Sequence, residues 1–473
     1  MTAKGLAPDN TQGPQGRHRA ATSSIGRVLF ASGMARLVVL PLTGICSLVI
    51  SRLITDAVGI ELFGEVMLIA TLSQLLMFAD LGAGAAVATA RARLAENPAD
   101  ADLFRRTVLT GLRTMLVSAG LIAFAAVGIG LLGAWPVLLG IDRADPGSAW
   151  PANLATVGTL LAFAVSLPFA LGEAVLRGGG RLHHAVLFGG LTAPTALLLT
   201  VLLQWQDAAP FAYALTLPLG TLLTWLCLAV AGARSVRSTL TGLPRQLLRP
   251  RRFPGQAIAA TAAPWFAVMI GLPLALQSDR IVIAHRVDPA SLSDYSYAAQ
   301  LYLPLWSVVS LAALALWPVF AAHRKPGESM RRSWLTGMAI LGGAGCAFSV
   351  AFLLLAGVVI DWSSRGAASP EPLLLLSFAA LLVVQSLHAC TGILLISPTQ
   401  LRFQALCVLA LLVTNLPLSW VLAPELGAAG PVLASAVTVA ACQLVPGLVA
   451  ARRATSTAAA PGPLTRPQPE VAA

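Results

Sequence analysis

The chain has 473 residues, of which 57% are hydrophobic and 11% are charged, and its mean hydropathy is +0.78. Because soluble globular domains carry about 25% charged residues, this composition excludes an ordinary water-soluble domain. The formal net charge of +11 comes from arginines at the ends of apolar segments, where an anionic membrane surface accounts for them, so no nucleic-acid partner is expected.

Twelve apolar segments follow one another along the chain. Each is long enough to cross the roughly 30 Å core of a bilayer as a helix that rises about 1.5 Å per residue. The predicted spans are residues 28–52, 62–88, 107–133, 151–175, 185–204, 210–232, 257–278, 296–321, 335–360, 372–396, 402–423 and 427–450. The chain is therefore predicted to be an all-α integral membrane protein with twelve transmembrane helices.

Positive charges alternate between the gaps that separate these spans. Seventeen arginines and lysines lie in every second gap: Arg91, Arg93, Arg105, Arg106, Arg177, Arg181, Arg234, Arg237, Arg245, Arg249, Arg251, Arg252, Arg324, Lys325, Arg331, Arg332 and Arg402. The other gaps hold five, which are Arg52, Arg143, Arg280, Arg286 and Arg365. Because positive residues resist translocation, the larger group is predicted to be cytoplasmic, and both termini with it.

The longest cytoplasmic gap divides the spans into two sets of six. The predicted organisation is a disordered cytoplasmic tail (1–26), an N-lobe with spans one to six (27–232), a basic cytoplasmic linker (233–256), a C-lobe with spans seven to twelve (257–451) and a disordered cytoplasmic tail (452–473). Ser51-Arg52-Leu53-Ile54 closes the first span and Asp279-Arg280-Ile281-Val282 closes the seventh, which indicates an internal repeat. Two six-span lobes related as parallel repeats surround a central substrate path.

Several short motifs occur in order on this frame. They are Ser51-Arg52-Leu53-Ile54 with Leu62-Phe63-Gly64, Asp80-Leu81-Gly82-Ala83-Gly84, Leu176-Arg177-Gly178-Gly179-Gly180-Arg181, Asp279-Arg280, and Asn415 to Pro424 with Leu426-Gly427-Ala428-Ala429-Gly430. In these residues, and over essentially its whole hydrophobic portion, the chain resembles the polysaccharide flippases of the multidrug/oligosaccharidyl-lipid/polysaccharide exporter superfamily. Thr55 and Asp56 depart from the family's pattern, which usually has Gly-Pro or similar residues there.

The resemblance implies a transporter of the bacterial inner membrane. Its cargo would be a polyprenyl-pyrophosphate-linked oligosaccharide, the repeat unit of an O-antigen or exopolysaccharide, moved from the cytoplasmic to the outer leaflet by alternating access. The implied partners are this lipid-linked glycan, membrane lipids and the polysaccharide polymerase machinery.

Three alternatives remain open at this stage. A multidrug/cation antiporter of the same superfamily shares the twelve-span frame, and a purely structural assembly subunit shares the composition. A membrane-embedded glycan polymerase or glycosyltransferase would need catalytic carboxylates or a histidine in a substantial outer loop, whereas the outer gaps here are short. Because no phosphate-binding loop or metal-ligand spacing occurs, no catalytic residue, cofactor or metal is predicted.

Charged residues inside the predicted spans are the first candidates for substrate contact, since a charge in the bilayer is costly unless it is paired or faces water. Arg36 lies about 13 Å from Arg27 along the first span, and Asp80 lies about 16 Å from Arg91 along the second. The two opposite charges are therefore predicted at similar depth. Either they bind and release the substrate pyrophosphate, or they form a static salt bridge that fixes helix packing.

Three further arginines are candidates for a central cavity. Arg280 and its repeat mate Arg52 are predicted at the outer mouth, where an anionic glycolipid would leave, although arginines are also common at helix ends. Arg113 either reaches inward from the third span or extends back to the cytoplasmic headgroups. Glu173 and Arg177 have the i,i+4 spacing of an intrahelical ion pair.

Overall fold

The computed structural model of the chain consists of helices and connecting turns. It describes residues 14–141, 147, 149–237, 239–240, 246–247, 249, 251–253, 263–316, 320, 330–395 and 397–457, with the backbone alone for residues 14–38, 77, 263–267 and 398. No β-strand occurs in these ranges.

The described part of residues 14–235, which we call the first half, contains nine α-helices. These are α1 (Pro14–Thr71), α2 (Ala83–Glu96), α3 (Ala101–Leu131), α4 (Trp135–Leu139), α5 (Ala149–Ser166), α6 (Leu171–Gly178), α7 (Leu182–Gly189), α8 (Thr192–Trp205) and α9 (Thr216–Ser235). Short 3₁₀ segments connect several of them, at Leu72–Asp80, Pro98–Asp100, Leu167–Ala170 and Pro210–Leu215.

Residues 263–457, the second half, contribute eight described α-helices. These are α10 (Ala263–Leu276), α11 (Asp279–Arg286), α12 (Pro289–Ala315), α13 (Met330–Ser364), α14 (Pro372–Leu394), α15 (Pro398–Leu426), α16 (Ala429–Val439) and α17 (Val445–Thr457). A π-helical turn at Ala440–Leu444 joins the last two. Proline opens α12, α14 and α15, where its missing N–H costs no hydrogen bond.

Ten helical stretches within the described residues are long and apolar enough to cross a membrane. Many coincide closely with predicted spans, as at Pro210–Ser235 and Pro372–Leu394. Large apolar side chains such as Phe124 and Leu354 are 80% and 72% exposed on these helices, which suits contact with lipid tails. The chain is therefore a helical multi-pass membrane protein.

The number of spans and the position of the termini stay predictions. One stretch, Val39–Asp80, has 42 residues, about 63 Å of helix, and covers parts of the predicted first and second spans. Of the seventh predicted span, 257–278, the structure describes the 14-residue helix α10. The predicted N-terminal tail lies partly outside the described residues, and α1 begins within it at Pro14. Of the predicted C-terminal tail, residues 458–473 lie outside them.

The backbone breaks at two places in the region of the first two predicted spans. Gly59 has φ 80° and interrupts α1 between the first and the second span. Further on, the 3₁₀ segment that ends at Asp80 gives way to the left-handed residues Leu81 and Gly82, with φ 49° and 76°. The second predicted span, 62–88, is therefore not one regular helix.

The two halves meet most extensively where α1 runs along α12. Buried apolar residues from both halves form one continuous cluster here, in which the rings of Phe63 and Tyr297 stack with centroids 4.5 Å apart. Gly64 makes this approach possible, because a Cβ atom there would lie 2.7 Å from the backbone nitrogen of Ser293. The packing therefore depends on a residue without a side chain.

Candidate substrate pathway

A cavity of about 430 Å³ lies within the first half. Its polar wall residues include Gln74, Asp80, Glu173 and Arg177, and Trp225 contributes an aromatic face. The prediction of an intrahelical ion pair is confirmed, since Arg177 Nη2 lies 3.4 Å from Glu173 Oε1. The cavity thus brings Asp80, at the end of the 3₁₀ segment, together with Glu173 and Arg177 of α6, although Asp80 and Arg177 are 97 positions apart along the chain.

Asp80 faces this cavity from the break in the second predicted span. Its Oδ1 accepts a hydrogen bond of 3.0 Å from the backbone N–H of Gly82, which fixes the carboxylate at the turn. A Cβ atom on Gly84 would lie 3.1 Å from Asp80 Oδ2, so the second glycine of the motif leaves room for the carboxylate. The Asp-Leu-Gly-x-Gly motif therefore both shapes the backbone and presents an acid to the cavity.

The side chain of Arg36 lies outside the described part of the chain, although its backbone belongs to α1. Its pairing with Asp80, either as a substrate contact or as a salt bridge, stays a prediction.

Arg280 lies at a second break, between α10 and α11. Gln277 and Ser278 separate these helices, and Asp279 and Arg280 form the first turn of α11. The two side chains are only 2% and 4% exposed. An acidic residue at this position interacts favourably with the positive end of the helix dipole.

The Arg280 guanidinium has a hydrogen-bond donor that is not used within the described residues. Its carbon lies 5.3 Å from the centre of the Tyr295 ring, in a cation–π contact, while its Nε is buried and has no hydrogen-bond partner within the described residues. The residue lines a cavity of about 80 Å³, together with Trp306 and Gln385. A guanidinium in this setting is suited to binding an anionic oxygen.

A polar cluster supports the carboxylate next to it. The hydroxyl of Ser435 is 3.5 Å from both oxygens of Asp279. Asn415 donates to the backbone oxygen of Ala275 at 2.5 Å and accepts from the hydroxyl of Thr438 at 3.1 Å. Asn415 therefore makes interhelical hydrogen bonds to α10 and α16. Nothing in the sequence distinguishes Ser435 and Thr438, because small hydroxyls are common in membrane helices.

Hydrogen bonds between the halves line the predicted outer part of the α1–α12 contact. Ser51 donates to Gln300 Oε1 at 2.8 Å, and Gln300 Nε2 donates to the Ser47 hydroxyl at the same distance. The hydroxyls of Thr55 and Tyr297 are 2.5 Å apart. These bonds hold the halves together on the side that the charge pattern assigns to the outside.

Two contacts between α1 and the end of α13 also join the halves on this side. We call these contacts, together with the hydrogen bonds between α1 and α12, the outer closure. Arg52 stacks over the ring of Trp362, with 5.0 Å between the guanidinium carbon and the ring centre. Asp56 forms an ion pair of 2.9 Å with Arg365. Arg52 therefore lies at the junction of the halves, on a different partner from its predicted repeat mate Arg280. Thr55 and Asp56, which depart from the family pattern, also take part in these contacts.

Arg113 binds the segment between the halves. Its guanidinium donates to the backbone oxygens of Gln246, Leu247 and Phe253, at 2.8, 3.3 and 2.9 Å. These three carbonyls belong to the predicted cytoplasmic linker, 233–256. The guanidinium of Arg113 is thus directed at the linker. From the sequence we predicted that this side chain points either into the cavity or toward the lipid headgroups, and neither prediction included the linker.

We expect the Arg113→Met substitution to release this segment. Hydrogen bonds from a charged donor contribute about 1.5 kcal/mol or more each, so losing three should make trypsin cleavage after Arg251 and Arg252 at least about tenfold faster. The measurement is the digestion rate in membrane vesicles that expose the cytoplasmic face. Arg106→Met is the control, because Arg106 pairs with Asp102 on the surface of α3. Equal digestion rates in both variants would show that Arg113 does not hold the linker.

Within the described residues, no group of three or more histidine, cysteine, aspartate or glutamate side chains could hold a metal ion.

The sequence matches no protein-family model and no curated protein. Solved structures do resemble it. An inward-facing multidrug resistance MATE family transporter of the MOP superfamily has a TM-score of 0.67 and 14% identity, over 90% of this chain and 98% of that one. The lipid II flippase MurJ, in an inward closed conformation, has a TM-score of 0.56 and 12% identity, over 89% of each chain.

A third similar structure is a MOP superfamily transporter from Pyrococcus furiosus, described as having a binding pocket of reverse polarity. Its TM-score is 0.62 and its identity 13%, over 92% of this chain and 96% of that one. All three neighbours are transporters or flippases of one fold. At these identities the likeness establishes architecture alone, and the chain has the MATE- and MurJ-like transporter fold.

Proposed function

We propose that the chain translocates a polyprenyl-pyrophosphate-linked oligosaccharide from the cytoplasmic to the outer leaflet of the plasma membrane by alternating access. The observation that carries this proposal is Arg280, whose guanidinium is buried, stacks on Tyr295 and forms no ion pair within the described residues. Keeping such a charge in a membrane protein costs several kcal/mol. A pyrophosphate passing this point would offset that cost.

The junction of the halves supports alternating access. On the predicted outer side it is closed by side-chain hydrogen bonds, one ion pair and stacked rings, each of which contributes about 1 kcal/mol. Bonds of this strength can be exchanged for water when the halves separate. The closure would then alternate with an outward-open state, in which the carried lipid leaves beside Arg52 and a polysaccharide polymerase machinery receives it.

One observation favours a second function, a multidrug/cation antiporter. The cavity of the first half carries two carboxylates, Asp80 and Glu173, against the single described cation Arg177. An excess of negative charge in a cavity attracts cations. The Arg36 side chain would balance this excess if it faced the cavity, so the assignment depends on that residue.

The first test is mass spectrometry of polyprenyl-linked oligosaccharides from cells depleted of this protein, with impermeant periodate as a probe of sidedness. We expect a complete repeat unit to accumulate, protected from periodate in the cytoplasmic leaflet. Normal arrival of complete units at the outer leaflet, in a strain without a redundant carrier, would contradict the flippase. Increased sensitivity to cationic dyes in the same strain would then favour the antiporter.

A further inference from the structure

An arginine of α2 and an arginine of the turn between α6 and α7 lie near each other at the predicted cytoplasmic end of the first half. Arg91 is in the last two turns of α2, and Arg181 follows the glycine turn that ends α6. Arg181 closes the Leu176–Arg181 motif, whereas Arg91 lies outside the motifs, and no ligand is predicted for either from the sequence.

The glycine turn brings the two together. Gly180 has φ +73°, and the N–H of Arg181 donates to the oxygen of Leu176 at 2.9 Å, so that the chain reverses directly after α6. Gly178 packs on α2 so closely that a Cβ atom would lie 2.2 Å from the oxygen of Ala88. One residue further on, a Cβ atom on Gly179 would lie 3.4 Å from Arg91 Nη2. The turn therefore rests directly against the Arg91 side chain.

The charges at this place are not neutralised by the described protein. Partial burial, and in addition the positive charge of Arg181, lower the pKa of Arg91 from its ordinary value. The Arg91 Nε is buried without a hydrogen-bond partner, and neither arginine forms an ion pair within the described residues. Two adjacent guanidinium groups without a carboxylate bind a phosphate group well, because each presents paired N–H donors.

The two arginines lie beside one end of the cavity of the first half. Arg177, which lines that cavity, is in the last turn of α6, four residues before Arg181. A phosphate held by Arg91 and Arg181 would therefore lie beside one end of the cavity, on the side where the carried lipid must first be bound.

We propose that Arg91 and Arg181 form a binding site for a lipid-borne phosphate group at the cytoplasmic mouth of the first-half cavity. The assignment of this group to the pyrophosphate of the carried lipid rests on the proposed function. The same chemistry would also bind an anionic phospholipid headgroup, so the test uses both ligands.

The test is a binding titration of the purified full chain in detergent, with undecaprenyl pyrophosphate in one series and dioleoyl phosphatidylglycerol in the other. We expect Arg91→Gln and Arg181→Gln each to weaken the binding of undecaprenyl pyrophosphate about tenfold, the effect of losing one charge-assisted hydrogen bond. Arg93→Gln removes the same charge from an exposed position on α2 and should leave binding unchanged. Arg91→Lys should retain part of the affinity.

The outcomes separate the site from the proposed function. Unchanged affinity in Arg91→Gln and Arg181→Gln, or an equal loss in Arg93→Gln, overturns the site. A selective loss that affects phosphatidylglycerol alone supports a phosphate site but overturns its assignment to the carried lipid. If the wild-type chain binds no undecaprenyl pyrophosphate, the proposed function fails instead. Should Arg91→Gln not fold, Arg181→Gln provides the test, because that side chain is exposed.

Discussion

We expect the Arg280→Met substitution to lower the rate of lipid-linked oligosaccharide translocation about a hundredfold. The guanidinium is buried and has a donor without a partner within the described residues, and two charge-assisted hydrogen bonds to a passing pyrophosphate are worth about 3 kcal/mol. Stability should change by about 1 kcal/mol or less, because methionine fills a similar volume and no ion pair of Arg280 within the described residues is lost. The measurements are translocation in proteoliposomes and the thermal unfolding midpoint in detergent.

The control for this variant is Arg286→Met, at the other end of α11. Arg286 is exposed and stacks over Trp420 at 5.1 Å, outside the cavity that Arg280 lines. Translocation by this variant should stay within about twofold of the wild type, as expected for a surface substitution. A purely structural role of Arg280 would show itself as loss of stability and of transport together, and that result would remove the main support for an anionic substrate.

The Gly64→Val substitution should open the predicted outer side of the protein. A Cβ atom at residue 64 would lie 2.7 Å from the nitrogen and 2.8 Å from the hydroxyl oxygen of Ser293, and valine adds two methyl groups to it. Overpacking of this kind costs about 1–3 kcal/mol, which corresponds to a shift of roughly ten- to hundredfold toward conformations in which α1 and α12 are apart. Translocation should slow, because the closed state becomes rare.

The shift can be measured as a distance between spin labels at Glu61 and Glu371, two exposed positions, after replacement of the six native cysteines. The label distance should lengthen in Gly64→Val. Gly357→Val is the control, since a Cβ atom there meets nothing within 4 Å on the surface of α13. An unchanged distance in Gly64→Val, in a folded protein, would mean that the contact of α1 with α12 does not control the outer closure.

Much of the architecture was predictable because hydropathy and turn chemistry are local properties of a sequence. The helical stretches Pro210–Ser235 and Pro372–Leu394 begin and end within a few residues of the predicted limits, and α3 differs mainly by an early start. The ion pair of Glu173 with Arg177 followed from spacing alone, since residues four apart lie on one face of a helix. Asp80 and Arg280 were predicted as candidates for substrate contact because a charge in a bilayer is costly.

Other features depend on interruptions that local patterns do not reveal. The left-handed turn at Leu81 and Gly82 was not predicted. Pro273 favours a bend in the seventh span, but the new helix that begins at Asp279 was not predicted. The apolar pattern continues across the turn at Leu81 and Gly82, where hydropathy alone does not distinguish a continuous span from a broken one. At the second break the polar run Gln277-Ser278-Asp279-Arg280 ends the predicted seventh span, but it does not show that a new helix begins at Asp279. These breaks nevertheless direct Asp80 and Arg280 into their cavities.

By itself, the sequence determined that the chain is a helical membrane protein, where most of its apolar segments lie and which charged residues are costly enough to matter. Only the tertiary structure decided the partners of these residues. Thr55 meets Tyr297 across 242 positions, and Arg113 reaches carbonyls more than 130 positions away. Such contacts depend on how distant helices pack, because a side chain of given chemistry bonds to whichever group the assembled fold places within its reach.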